Sequence, residues 1–170
     1  MKSSDYNARC WFVASSSRKS ILKRMRQLKS STMEEAYDYE KPSAFSRGMA
    51  VKIKPDTEMV FISGTASIGE NGETLHKGSF KNQSKRMFEN IAGILEKEGL
   101  KWNNVVKTTI YIRDIDRDYE EFNIVRKEFY DKIGLQTYPA SVCVEAKLCR
   151  SDLLIEMELI VIKNETVQTI

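Results

Sequence analysis

The chain has 170 residues, 41% of them hydrophobic and 30% charged, with 8 Gly and 3 Pro, which matches one ordinary globular domain. No apolar run approaches the ~18 residues of a membrane-spanning helix, and the first residues lack a charged start followed by an apolar stretch, so neither a membrane nor a secreted protein is expected. Three cysteines, Cys10, Cys143 and Cys149, form no C-x-x-C pair and no disulfide framework, which points to a cytoplasmic location; a single histidine, His76, excludes His-rich metal sites and leaves a hydrolytic triad only one base.

Residues 1–29 carry eight Lys/Arg against Asp5 alone, and the rest of the chain holds more acidic than basic residues, so the net charge of +3 describes a basic arm on a mildly acidic body. Within the arm, taken as residues 1–38, Ile21, Leu22, Met25 and Leu28 recur at helical spacing and predict a short amphipathic helix over about 19–29. The arm reads as a solvated tail or a helix docked on its own body, and nucleic acid is not an expected partner.

The domain is expected over 39–165, followed by a tail at 166–170. Strands are predicted at 49–53 and 59–63, joined by a turn at Lys54, Pro55 and Asp56. A helix over 79–98 sets Phe80, Met87, Phe88, Ile91, Ile94 and Leu95 on one face and stops at Gly99. A strand follows at 105–112. Asp116 is expected to cap a second helix over about 119–132, with Tyr119, Phe122, Val125, Phe129 and Ile133 inward. Strands at 141–146 and 154–162 complete the order β-β-α-β-α-β-β, an α+β domain with two helices on one sheet face. The other face must also be hidden, and a closed homo-oligomer is the expected means.

Several segments carry a family resemblance: Phe45-Ser46-Arg47; the stretch 59–65 ending in Ser63-Gly64-Thr65; Phe88-Glu89-Asn90-Ile91; Phe122-Asn123; Tyr138-Pro139-Ala140 leading to Cys143-Val144-Glu145; and Ile155-Glu156-Met157-Glu158. Residues from about 42 to 163 resemble the Rid/YjgF family, the reactive intermediate deaminases, also called L-PSP endoribonucleases. The resemblance implies a chorismate-mutase-like fold, a homotrimer, ligand clefts between subunits, a small-molecule metabolite as partner, and no metal or organic cofactor.

In deaminating members an arginine directly after Pro-Ala holds the carboxylate of a 2-imino acid, and a glutamate near the end of the last strand places the hydrolytic water. The resemblance assigns the second role to Glu156. At the first position stands Ser141, which supplies neither the charge nor the two parallel donors of a guanidinium. The standard 2-imino-acid substrate is therefore not expected; the site is read as keeping its pocket and Glu156 for a different substrate, with Arg47, Lys147 and Arg150 as candidates for a displaced cation. Gly64, Asn123 and Cys143 match cleft positions, and Phe45 keeps an aromatic wall where many members carry tyrosine. Cys143 is read as a small buried hydrophobe with no histidine nearby to activate it, Glu158 as structural, and His76 as an exposed loop residue. The expected activity is water-mediated acid/base chemistry on a small imine, enamine or enol-type metabolite. The alternative is a non-catalytic ligand-binding or regulatory trimer; RNA binding or cleavage ranks below both, because the body is acidic and has no two-histidine device.

Overall fold

The last strand of the chain is the middle of its sheet. The computed structural model describes residues 24–164. Strands β1 (Met25–Gln27), β2 (Gly48–Lys54), β3 (Thr57–Ala66), β4 (Val105–Ile112), β5 (Ala140–Glu145) and β6 (Ile155–Asn164) form one six-stranded sheet in the order β1-β2-β3-β6-β4-β5. Ile155, Met157, Leu159 and Val161 of β6 are almost wholly buried, while Glu156, Glu158 and Ile160 alternate to the other face. Such an apolar row is best covered in the centre of a sheet, where β3 and β4 flank it antiparallel. Only β4 and β5 pair in parallel, joined across the sheet by helix α2 (Ile115–Lys132).

Helices α1 (Phe80–Lys97) and α2 lie on the buried side and meet through an aromatic cluster. Phe88 stacks on Phe129 with ring centroids 4.4 Å apart and touches Trp102 at 5.6 Å. Ser79 caps α1, accepting from the Asn82 amide, and Gly99 leaves the helix with a positive φ of 66°. The cap of α2 is Asp114 and not the expected Asp116, because the Asp114 carboxylate accepts from the Arg117 amide at 3.1 Å. The helix thus starts at Ile115, and Asp116 and Asp118 fall in its first turn, where the helix dipole favours acidic groups. Tyr119 and Ile133, expected inward, are exposed, whereas Phe122 and Val125 are buried as expected.

Two polar side chains on the buried face of α1 fasten loops to the core. Asn90 donates to the carbonyls of Ala66 and Ile68 at 3.0 and 2.8 Å, which holds the end of β3. Gln83 donates to Asp152 O and accepts from the Leu154 amide at 2.8 and 2.9 Å, which fixes the loop entering β6. β3 continues to Ala66, further than the expected 59–63 strand. Between Ile62 and Thr65 it takes three steps while β6 takes two, from Leu159 to Met157, which is a β-bulge.

The largest departure lies in the arm. The helix expected over about 19–29 is replaced at residues 25–27 by β1, which pairs antiparallel with β2 in the register Gln27↔Met49; residues 19–23, the rest of the arm before them and the expected tail at 166–170 lie outside the described residues. The apolar positions serve a sheet edge and the core, not a helix face. Leu28 has 0% exposure and packs beside Gly48, and its amide donates to the Gly48 carbonyl at 2.9 Å. Arg26 pairs with Glu58 at 3.0 Å and Glu98 at 2.6 Å, so part of the arm's charge is spent on the body. Met33 and Ala36 are also buried, so the folded unit extends well before residue 39.

The sheet face away from the helices stays open. Phe61 is 42% exposed there, with Val142 and Val144 also exposed and Ile160 half-buried. Among the described residues no helix is long and apolar enough to cross a membrane.

Leu28 tests whether this first segment belongs to the core. Leu28→Ala is expected to lower unfolding stability by about 2–5 kcal/mol, read from urea denaturation. No change would mean that the segment is an appendage.

Candidate functional site

The bulge in β3 shapes the first of the two cavities that hold expected site residues. At Gly64 the strand passes so close to β6 that a Cβ there would collide with Oε1 of Glu156, so the backbone lies directly against this carboxyl group. Glu156, Gly64, Ser63, Phe45, Arg47 and Arg150 share a cavity of about 340 Å³, with Tyr39, Cys149 and Leu153 also on its wall. Burial, reinforced by the neighbouring Glu158, pushes the Glu156 carboxyl above its ordinary range. A carboxyl group whose proton affinity is raised, beside a small cavity, is suited to accept and return a proton.

Arg47 is 4% exposed and belongs to the wall of this cavity. Its Nε and Nη2 donate to the Glu34 carbonyl at 3.0 and 2.6 Å, Nη2 also donates to the Tyr39 hydroxyl, and the guanidinium lies over the rings of Tyr39 and Phe45 at 5.2 and 5.7 Å. These contacts tie the 34–39 segment to β2. Arg150 donates from Nη1 to the Gly72 carbonyl at 2.5 Å. Lys147 is exposed and lines neither cavity. None of the three cations expected to stand in for a missing arginine lies on the wall that holds Ser141.

Ser141 belongs to a second cavity of about 350 Å³, lined by Asn123, Arg126, Lys127, Tyr130, Tyr138, Pro139 and Ser141. It pairs in register with buried Thr108 and so turns toward α2, while Glu156 points to the open face. The two residues cannot meet within one chain. Asn123 lines the same second cavity as Ser141, and Cys143 lies two residues further along β5 on the same face. Burial raises the Cys143 thiol and only the charge of Arg126 opposes this, which disfavours the thiolate a nucleophile needs; the residue lines neither cavity. Tyr130 is pushed up to about 12 by burial and remains a neutral phenol. The expected site residues therefore separate into Phe45, Arg47, Gly64 and Glu156 on one side, and Asn123, Ser141 and Cys143 on the other.

Arg126 was not among the expected residues. Its Nη2 donates to Asn123 Oδ1 at 2.5 Å and its Nη1 to Ser141 Oγ at 3.3 Å, with the guanidinium 5.0 Å from the centre of the Phe122 ring. In the sequence it reads as one more charge on a helix surface. The available signal was its i, i+3 spacing from Asn123, which sets both on one side of α2.

The family model described as Endoribonuclease L-PSP matches residues 40–163. A RutC family protein of Pyrococcus abyssi is 38% identical over 105 residues, which is 62% of this chain and 79% of that protein. The 2-iminobutanoate/2-iminopropanoate deaminase of Salmonella typhimurium is 33% identical over 82 residues, 48% of this chain and 62% of the deaminase. Among solved structures, Escherichia coli TdcF with bound serine superposes with a TM-score of 0.66 at 25% identity, covering 82% of this chain and 99% of that one. A Haemophilus influenzae protein at 22% identity, with a TM-score of 0.68 over 83% of this chain and 99% of its own, shares the fold.

The raised carboxyl gives a pH signature. The folded protein keeps the Glu156 proton at pH values where the unfolded chain, near the ordinary 4.5, has lost it. This group's share of stability is present below that value and is lost as pH rises toward the folded value. In urea unfolding across this range, the wild type is expected to fall relative to Glu156→Gln as pH increases. Parallel profiles for the two proteins would show that Glu156 titrates normally.

Proposed function

Because the chain belongs to the Endoribonuclease L-PSP family, the Rid/YjgF proteins, we propose that it hydrolyses a small imine or enamine in a cleft completed by a neighbouring copy of itself. The observation that carries this reading is the division of the candidate residues between two cavities whose key side chains face opposite sides of one sheet. The first half has a carboxyl group, with its arginines Arg47 and Arg150 donating to backbone carbonyls; the second has a guanidinium, a hydroxyl and aromatic walls without an acid.

A closed homotrimer is the assembly we favour, since rotational symmetry joins the first cavity of each copy to the second cavity of the next. The same assembly would cover the open face around Phe61, Val142 and Val144, whose exposure is otherwise a cost. In the joined cleft, water adds to the carbon of C=N while Glu156 takes its proton and returns one to nitrogen. The C–N bond then breaks, so that imine and water become a carbonyl compound and ammonia. An enamine enters the same path after protonation at carbon. The balance requires no redox partner, metal or organic cofactor. The deaminase named among the relatives supports this chemistry, and the two described cysteines, Cys143 and Cys149, are unpaired, which fits a cytoplasmic setting.

Ammonia release from freshly generated 2-iminobutanoate and 2-iminopropanoate tests the reading. Glu156→Gln is expected to lower kcat by about 10²–10⁴-fold while light scattering still reports the wild-type oligomer. Wild-type turnover equal to that of Glu156→Gln would remove this residue from the chemistry. No turnover in either protein, with ligand still bound, would favour the non-catalytic ligand-binding trimer.

A further inference from the structure

On α2, Phe122 and Val125 are buried in the core, and the intervening turn carries Asn123 and Arg126 toward the edge strand β5. Arg126 is held there entirely by neutral groups: the Asn123 carbonyl oxygen, the Ser141 hydroxyl oxygen and the face of Phe122. Among the described residues no carboxylate pairs with it, whereas Arg26 reaches Glu58 and Glu98, Arg117 reaches Asp118, and its neighbour Lys127 is matched by Asp131 at 2.7 Å; Arg47, Arg113 and Arg150 also have no carboxylate partner, but each donates to backbone carbonyls and none lies beside Ser141. The guanidinium is thus immobilised without losing its charge.

Two of its five N–H groups are occupied and three remain for another acceptor. Because Ser141 accepts the hydrogen bond from Arg126, its own hydroxyl hydrogen is free to donate onward. Tyr130 and Tyr138, stacked with ring centroids 5.6 Å apart, and Pro139 supply apolar walls around these donors. A planar fork beside one hydroxyl, between aromatic walls, fits two coplanar oxygens on a short organic chain better than a bulky phosphate.

We propose that Arg126, assisted by Ser141, is the specificity-determining carboxylate clamp of the cleft, so that the substrate is a small 2-imino or 2-enamino acid. The charge that Ser141 cannot provide comes from the adjacent helix, across one hydrogen bond, and not from Arg47, Lys147 or Arg150. This inference rests on the shared-cleft reading above: the clamp of one copy faces Glu156 of the next.

Calorimetric titration of the intact oligomer with 2-oxobutanoate, the carbonyl product of 2-iminobutanoate hydrolysis, and with uncharged 2-butanone separates the contribution of the carboxylate. Arg126→Gln is expected to weaken 2-oxobutanoate binding by about 10–100-fold while leaving 2-butanone unchanged, and to raise KM for the imino acid far more than it lowers kcat. Arg126→Lys should recover only part of the loss, because an ammonium lacks the fork. The double variant Arg126→Gln/Ser141→Arg should recover most of it, which also controls for damage to the fold. The clamp is overturned if Arg126→Gln leaves 2-oxobutanoate affinity within about twofold, if keto acid and ketone weaken together, or if wild type does not bind the keto acid. Tight, Arg126-dependent binding without Glu156-dependent ammonia release would uphold the clamp and refute the hydrolytic reading instead.

Discussion

The alternation of β6 is the constraint on which the rest of this protein depends. Ile155, Met157, Leu159 and Val161 complete the core beneath two helices, and that requirement leaves Glu156 and Glu158 no choice but the opposite face. A slip of one residue would bury both carboxylates and expose the apolar row, so the register of the whole sheet protects the position of Glu156. The bulge in β3 then removes the one neighbour that would crowd it, by bringing a residue without a side chain against the carboxyl group. Burial and the neighbouring Glu158 raise the proton affinity of Glu156; this shift and the packing of the core are two results of one pattern.

The same geometry is the ground for the proposal that one chain carries half a site. Ser141 on edge strand β5 shares the helix-facing side with buried Thr108, and its neighbours Asn123 and Arg126 come from α2. Glu156, with Gly64 and Phe45, lies on the other side of the sheet. A rigid sheet does not bring its two faces together, and a second copy does so at no cost in strain. An exposed apolar face beside one half-site gives that second copy a reason to bind. Under this account, assembly and chemistry are inseparable, and variants that loosen the oligomer should lose activity without touching either cavity.

Much of the fold was legible because it depends on local periodicity. β4 spans the expected 105–112, and α1 lies within one residue of expectation at each end, since its apolar stripe, its serine cap and its terminal glycine all agree. Three features were not legible. Met25 and Leu28 have helical spacing, yet β2 offered an unpaired edge, and tertiary pairing overrode a weak local preference. The cap moved from Asp116 to Asp114 because both residue types suit the position and only backbone geometry decides. The extension of β3 to Ala66 required the bulge, which no alternation pattern announces.

The candidate residues followed a similar division. Glu156, Gly64, Asn123 and Ser141 could be named from motif resemblance, but their separation into two cavities is a property of sheet faces and emerged only in three dimensions. Arg47 looked like a displaced ligand-binding cation and instead fastens the 34–39 segment through the Glu34 carbonyl and Tyr39. Arg126 looked like a solvated helix charge and instead touches Ser141. In both cases residue type was visible and direction was not.

The central claim is that a working site takes one half from each of two copies. Its most direct test is to co-assemble Glu156→Gln and Arg126→Gln chains, each defective in a different half, and measure imino-acid hydrolysis by the mixed oligomer at substrate concentrations well below the wild-type KM, where both parents are impaired. Random mixing pairs two intact halves at roughly one interface in four, so recovery to about a quarter of wild-type activity is expected. Activity no greater than the sum of the two parent variants would mean that each copy carries its whole site, and would contradict the account.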